Sequence, residues 1–170
     1  MKRILAFIVA AFTLVLLGCP FESEYGLGKG MLNEYEDDLI GTWENQTDTS
    51  QIAKIKVEPY EEDGIKVTTL LSGSNSDSYE GDENYGWFAD IDGVHYIMFS
   101  SYDYMFDEYF YAYYSYKMSG SSEFTLYEVA TSPHNSDLTV ESGNDLYDHF
   151  RANQDKEGFF QNEQVFKRVY

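Results

Sequence analysis

The chain has 170 residues and a formal net charge of −19, with 11 Lys/Arg against 30 Asp/Glu. At this length one domain with its own core is expected, while the acidity excludes a nucleic-acid partner and a body lying flat on an anionic bilayer. Sixteen Tyr, twelve Phe and two Trp exclude an intrinsically disordered body and favour strands, and a single cysteine excludes any intramolecular disulfide.

Lys2 and Arg3 precede an apolar run over residues 4–17, interrupted only by Thr13, and the small residue Gly18 follows it. A basic start, a short apolar segment and a small residue make a secretory signal. The run falls short of the roughly 20 residues a membrane-spanning helix needs. The sole cysteine, Cys19, comes next. Leu16-Leu17-Gly18-Cys19 resembles the lipobox of bacterial lipoproteins. The resemblance implies cleavage between Gly18 and Cys19, a diacylglyceryl group on the Cys19 thiol, and further acylation of the new amino terminus with palmitate-type chains. Two or three chains anchor a protein stably where one is marginal, at ~0.8 kcal/mol per buried CH₂. The competing reading is an ordinary signal peptide with an incidental Cys19, which must explain both the lone cysteine and its placement. Pro20 stands where some lipoproteins carry an aspartate that retains them in the inner membrane, so the resemblance leans toward an outer-membrane, periplasmic or surface-facing location. Removal of residues 1–18 takes away Lys2 and Arg3 and no acid, which moves the charge from −19 to −21.

Residues 19–38 carry glycines and acids without a sustained period and read as a flexible tether. Met31, Leu32 and Tyr35 have helical spacing, so a short helix over 31–38 is an option. From residue 39 to residue 170 the pattern is that of one domain. Residues 39–43 open it as a strand. Over residues 51–60, Ala53, Ile55 and Val57 alternate with Lys54, Lys56 and Glu58, and Ile65, Val67, Thr69 and Leu71 continue after an Asp63-Gly64 turn. Residues 72–84 are Ser/Gly/Asp/Glu-rich and read as a surface loop. Asp77, Glu80, Asp82 and Glu83 lack the ligand spacing of a calcium loop.

Asp92-Gly93 is a second hairpin turn, between strands at 85–90 and 94–101. In residues 109–118, Tyr109, Tyr111 and Tyr113 face one way and Phe110, Tyr114 and Tyr116 the other. Residues 119–122 turn the chain into a strand at 123–130, with Phe124 and Leu126 opposite Thr125, Tyr127 and Val129. After a polar loop at 131–137 the period changes. Ser142-x-x-Asp145 has the form of a capping box, and Leu146 and Phe150 share a helical face, so a helix spans 143–154. A last strand covers 163–170. The fold class is therefore all-β and mainly antiparallel, an up-and-down β-barrel or a strongly curved sheet with one helix before the last strand. Residues 109–116 would aggregate as an open edge, and closure removes edges.

Gly41-x-Trp43 on the first strand resembles the Gly-x-Trp signature of lipocalins and related calycin barrels. Lys167-Arg168 lies where that fold often places a basic residue near the Trp. The resemblance implies a lipocalin-like barrel in which Gly41, Trp43 and Arg168 close one end, the cation stacked on the indole and bonded to backbone carbonyls.

The sequence holds no Gly-rich phosphate loop and no Gly-x-Ser-x-Gly elbow. His95, His134 and His149 lack metal-ligand spacing, and His95 fits a satisfied strand histidine. No catalytic residue, metal or cofactor is assigned, and the protein is not expected to be an enzyme. Two functional classes stand. The first is a binding module that takes a small apolar or amphipathic ligand inside the barrel, lined by Phe99, Phe110, Tyr114, Tyr116 and Phe124. The second is an interaction, envelope-maintenance or inhibitor-type lipoprotein without a pocket, docking an envelope protein through Tyr109, Tyr111 and Tyr113. In both, the acyl chains on Cys19 hold the protein to the membrane.

Overall fold

Strands that alternate apolar and polar residues have one face to bury, and here they bury it against each other around a ring. The computed structural model describes residues 21–34, 36–47, 54–72, 78–103, 108–130 and 138–170. The signal segment, Cys19, the start of the strand read at 51–60 and the loop at 131–137 lie outside the described residues. The strands are β1 (Glu22–Ser23), β2 (Gly41–Asn45), β3 (Lys54–Tyr60), β4 (Gly64–Ser72), β5 (Ser78–Ile91), β6 (Val94–Asp103), β7 (Glu108–Met118), β8 (Glu123–Val129) and β9 (Phe160–Val169). The helix α1 (Gly143–Asn153) precedes β9. From β2 to β9 each strand pairs antiparallel with the next, and β9 pairs back onto β2 from Thr42↔Val169 to Asn45↔Phe166. The result is a closed eight-stranded antiparallel barrel, which leaves no long edge for another molecule to extend.

Alternation sorts side chains into two apolar layers. Inside the barrel lie Trp43, Val57, Ile65, Val67, Phe88, Ile97, Tyr116, Phe124 and Phe166, with Leu39 below them. Outside β5–β7 a second layer of Ala89, Ile91, Tyr96, Met98 and Tyr113 is covered by Leu146 and Phe150 of α1. The helix forms where its cap and stripe dictate. Ser142 Oγ accepts from the Asp145 N–H at 3.3 Å, and Leu146 and Phe150 are fully buried one turn apart. Arg151 Nε donates to Asp92 Oδ2 at 2.6 Å and ties the helix to the β5–β6 turn. Among the described residues no helix is long and apolar enough to cross a membrane.

Several expectations change. Residues 21–34 are not a free tether. Phe21 and Leu27 are buried in the outer layer, β1 pairs Glu22↔Ala112 and Ser23↔Tyr111 on β7, and Met31 bridges Ala89. The cause is the long strand β7. Strand β8 covers it only from Tyr114 to Met118, and β1 pairs with the stretch left over. The helix considered over 31–38 is absent among the described residues there; single 3₁₀ turns at Gly28–Gly30 and Asp37–Leu39 flank a segment held to β5. Residues 78–84, read as loop, are the first half of β5 and pair with β4 from Val67↔Asn84 to Ser72↔Ser78. Pairing on a barrel wall overrides their poor strand propensity. In the β3–β4 turn it is Glu61, at φ 54°, and not Gly64 that adopts the left-handed conformation.

Candidate functional site

Among the described residues the barrel interior around Trp43 is closely packed. Tyr116 and Phe124 are each 4% exposed. Phe99 meets Tyr114 edge-on at 5.6 Å between ring centroids, and Phe124 stacks on Phe166 at 4.8 Å while meeting the Trp43 edge at 4.8 Å. Phe110 and Tyr114 are half-buried, on the β7 face that carries Tyr116. The void left beside Phe99, Tyr116 and Phe124 is about 30 Å³, room for a water or two and far below the ~300–1,000 Å³ of a small-molecule pocket. Phe99, Tyr114, Tyr116 and Phe124 thus pack in or beside the described core, and Phe110 sits further along β7.

One end of the barrel is closed by a built arrangement. The Arg168 guanidinium carbon lies 4.3 Å from the Trp43 ring centroid. Its Nη1 donates to the Ile40 carbonyl at 2.7 Å, its Nη2 to the Asp38 carbonyl at 2.5 Å and its Nε to the Ser121 carbonyl at 2.7 Å. Trp43 Nε1 donates to the Leu39 carbonyl at 2.8 Å. Gly41 stands at φ 148°, and a Cβ there would come within 2.6 Å of Arg168 Nη1. One cation thus joins the segment before β2, the β7–β8 turn and β9. The structure brings Gly41, Trp43 and Arg168 together.

Another concave feature lies outside the lumen, near the Asp92-Gly93 turn. It is an open groove of about 560 Å³. Val94, Tyr116, Met118 and Phe160 give it apolar surface, and Glu36, Asp38, His95 and Lys117 give it a polar rim. His95 Nδ1 is 3.4 Å from Asp90 Oδ2, and its ring lies 5.6 Å from that of Tyr116. Burial, with Glu36 and Asp90 close by, holds the Tyr116 hydroxyl protonated well above the ordinary phenol range. Sequence reasoning missed this groove because its members come from the 36–38 segment, β6, β7, β8 and β9, and no local pattern links them. Among the described residues no group of three His, Cys, Asp or Glu side chains is placed to hold a metal ion.

The tyrosine face of β7 also divides. Tyr109 is 66% exposed, whereas Tyr113 is fully buried under α1, its hydroxyl donating to the Tyr25 carbonyl. Tyr113 is thus removed from any docking surface, because helix and N-terminal segment together cover it. The fold is a closed antiparallel barrel with aromatic rings packed among its described interior residues and a groove outside. The chain matches no protein-family model, no curated protein and no solved structure.

Proposed function

We propose that this protein is a lipid-anchored lipoprotein of the bacterial cell envelope, and that its barrel is a rigid docking module rather than a carrier. The anchor reading rests on Leu16-Leu17-Gly18-Cys19 after a short apolar run. A calycin-type ancestry for the barrel is supported by its up-and-down order, the helix before β9 and the contact of Arg168 with Trp43. The observation that carries docking over carriage is the contrast in volume, about 30 Å³ in the void among the described interior residues against about 560 Å³ in the open groove outside. An amphipathic partner suits that groove, apolar against Val94 and Met118 and polar toward Glu36, Asp38 and Lys117. The partner is an envelope component, since the acyl chains on Cys19 keep the module at the membrane.

Two measurements test this. A Cys19→Ser variant moves from the membrane fraction to the soluble fraction if the anchor is right; unchanged partitioning removes it. Displacement of an environment-sensitive amphipathic fluorophore is then compared between Val94→Asp, in the groove, and Tyr114→Ala, toward the lumen. Loss of binding in the first alone supports the groove. Loss in the second alone, in a folded protein, restores the interior ligand and refutes docking.

A further inference from the structure

The outer wall of the barrel carries a half-buried aromatic surface that continues from the layer under α1. Tyr60 of β3, Tyr85 and Trp87 of β5, and Tyr111 of β7 lie on outward positions of alternate strands. The strands between them contribute Gly64, paired with both Tyr60 and Trp87, and Ser100, paired with both Tyr85 and Tyr111. These small residues leave room for the rings to meet. Tyr60 lies 4.5 Å from Tyr85 and 6.3 Å from Trp87, and Trp87 lies 6.2 Å from Tyr111, between ring centroids. All four rings are half-buried, and the exposed Tyr109 follows on the same face of β7. The Tyr85 hydroxyl donates to Glu83 at 3.1 Å, so the patch has an apolar centre and a hydrated polar edge.

Beside this patch the chain enters the fold. Ser23 pairs with Tyr111, and the Phe21 carbonyl accepts from the Tyr113 N–H at 3.3 Å. Only Pro20 separates Phe21 from Cys19, so the sulfur's own residue lies at most ~7 Å of chain from a buried side chain. On the lipoprotein reading, acyl chains on Cys19 would hold the wall next to β1 within reach of the lipid surface.

We propose that the Tyr60–Tyr85–Trp87–Tyr111 patch rests on the headgroup region of the bilayer that holds the Cys19 anchor, and so fixes the barrel's orientation on the membrane. This rests on the lipoprotein reading above. Tyr and Trp favour the membrane–water interface, where a ring meets the apolar side and a polar atom stays wet. The chain's strong negative charge and the Glu83 edge direct the patch to a zwitterionic surface rather than an anionic one.

The two tryptophans provide the test. Trp43 is sealed in the core, whereas Trp87 is in the patch. The full chain is produced in a bacterium that processes lipoproteins, purified in detergent, and placed in phosphatidylcholine vesicles whose acyl chains carry bromine near the headgroup. The expected result is quenching of Trp87 with a blue shift of its emission, abolished in Trp87→Phe, while Trp43 emission is unchanged. Mass analysis of the Cys19 peptide reports acylation separately. An acylated protein whose Trp87 remains unquenched and open to aqueous iodide overturns the orientation and leaves the anchor standing. Shielding from iodide without lipid quenching means that a second copy or another protein covers the patch, and also overturns it. If Cys19 is unmodified, the lipoprotein reading fails; the same chain coupled through that thiol to a maleimide phospholipid then decides the patch alone, by the same quenching.

Discussion

Arg168→Met removes the cation at the barrel's closed end and keeps much of the side chain's length. Three hydrogen bonds to carbonyls and the contact with Trp43 are lost. A hydrogen bond to a charged group contributes ~1.5–3 kcal/mol, but Asp38 and Ser121 are exposed residues whose carbonyls rehydrate. The Ile40 carbonyl, in a half-buried residue, bears most of the loss. Adding ~0.5–1 kcal/mol for the cation–π contact gives an expected destabilisation of about 2–3 kcal/mol. For a domain of this size that corresponds to a fall of roughly 5–10 °C in Tm. Urea unfolding followed by tryptophan emission measures it, with Trp43 beside the lost group as reporter. Arg168→Lys restores the charge without the fork geometry and falls between the two. Gly41→Ala, which places a Cβ against the guanidinium and strains the φ of 148°, couples with Arg168→Met rather than adding to it. A loss below about 0.5 kcal/mol in Arg168→Met, the range of ordinary surface substitutions, would mean that ring packing alone holds the end shut.

Phe21→Ala empties a site against Tyr113 and Phe150 and costs about 3 kcal/mol; hydrogen exchange should rise over residues 21–30 before it rises in the barrel, and a uniform rise would contradict a separately docked segment. Burial raises the phenols of Tyr96, Tyr113 and Tyr116 above their ordinary value of 10.0. Because the neutral form is favoured in the folded state, their contribution is fully present below about pH 10 and is lost as pH rises above it. Ultraviolet titration should therefore show a tyrosine class that ionises only with alkaline unfolding; a single class titrating freely near pH 10 would refute this. Gly93→Ala, at φ 86° with no atom within 4 Å of the added Cβ, should cost about 1 kcal/mol through backbone conformation alone, and a neutral result by urea titration would show that the turn relaxes.

Much of the barrel wall was legible in the sequence. Ile55 and Val57 face inward while Lys54 and Lys56 pair with Glu44 and Glu58 outside, at 3.5 Å and 2.8 Å. Asp92-Gly93, with φ of 53° and 86°, makes the tight turn its dipeptide prescribes. These features are local, with a period of two, a turn dipeptide or a capping box, and a few neighbouring residues suffice to specify each. The polar half of β5 was not legible, because its residues become strand only when β4 supplies partners for the backbone. Nor was the docking of residues 21–34, where isolated apolar residues such as Phe21 and Leu27 acquire meaning only once α1 and β7 leave a place for them.

By itself, then, the sequence determined which residues alternate, where the chain turns and where the helix starts, since each depends on contacts between near neighbours. Only the tertiary structure decided that the sheet closes through Thr42 and Val169, that aromatic rings pack among its described interior residues, that Tyr113 is buried while Tyr109 is exposed, and that a groove and an aromatic patch lie outside. Those outcomes depend on the volumes of side chains far apart in the chain meeting across a closed ring, a quantity that no short stretch of sequence carries.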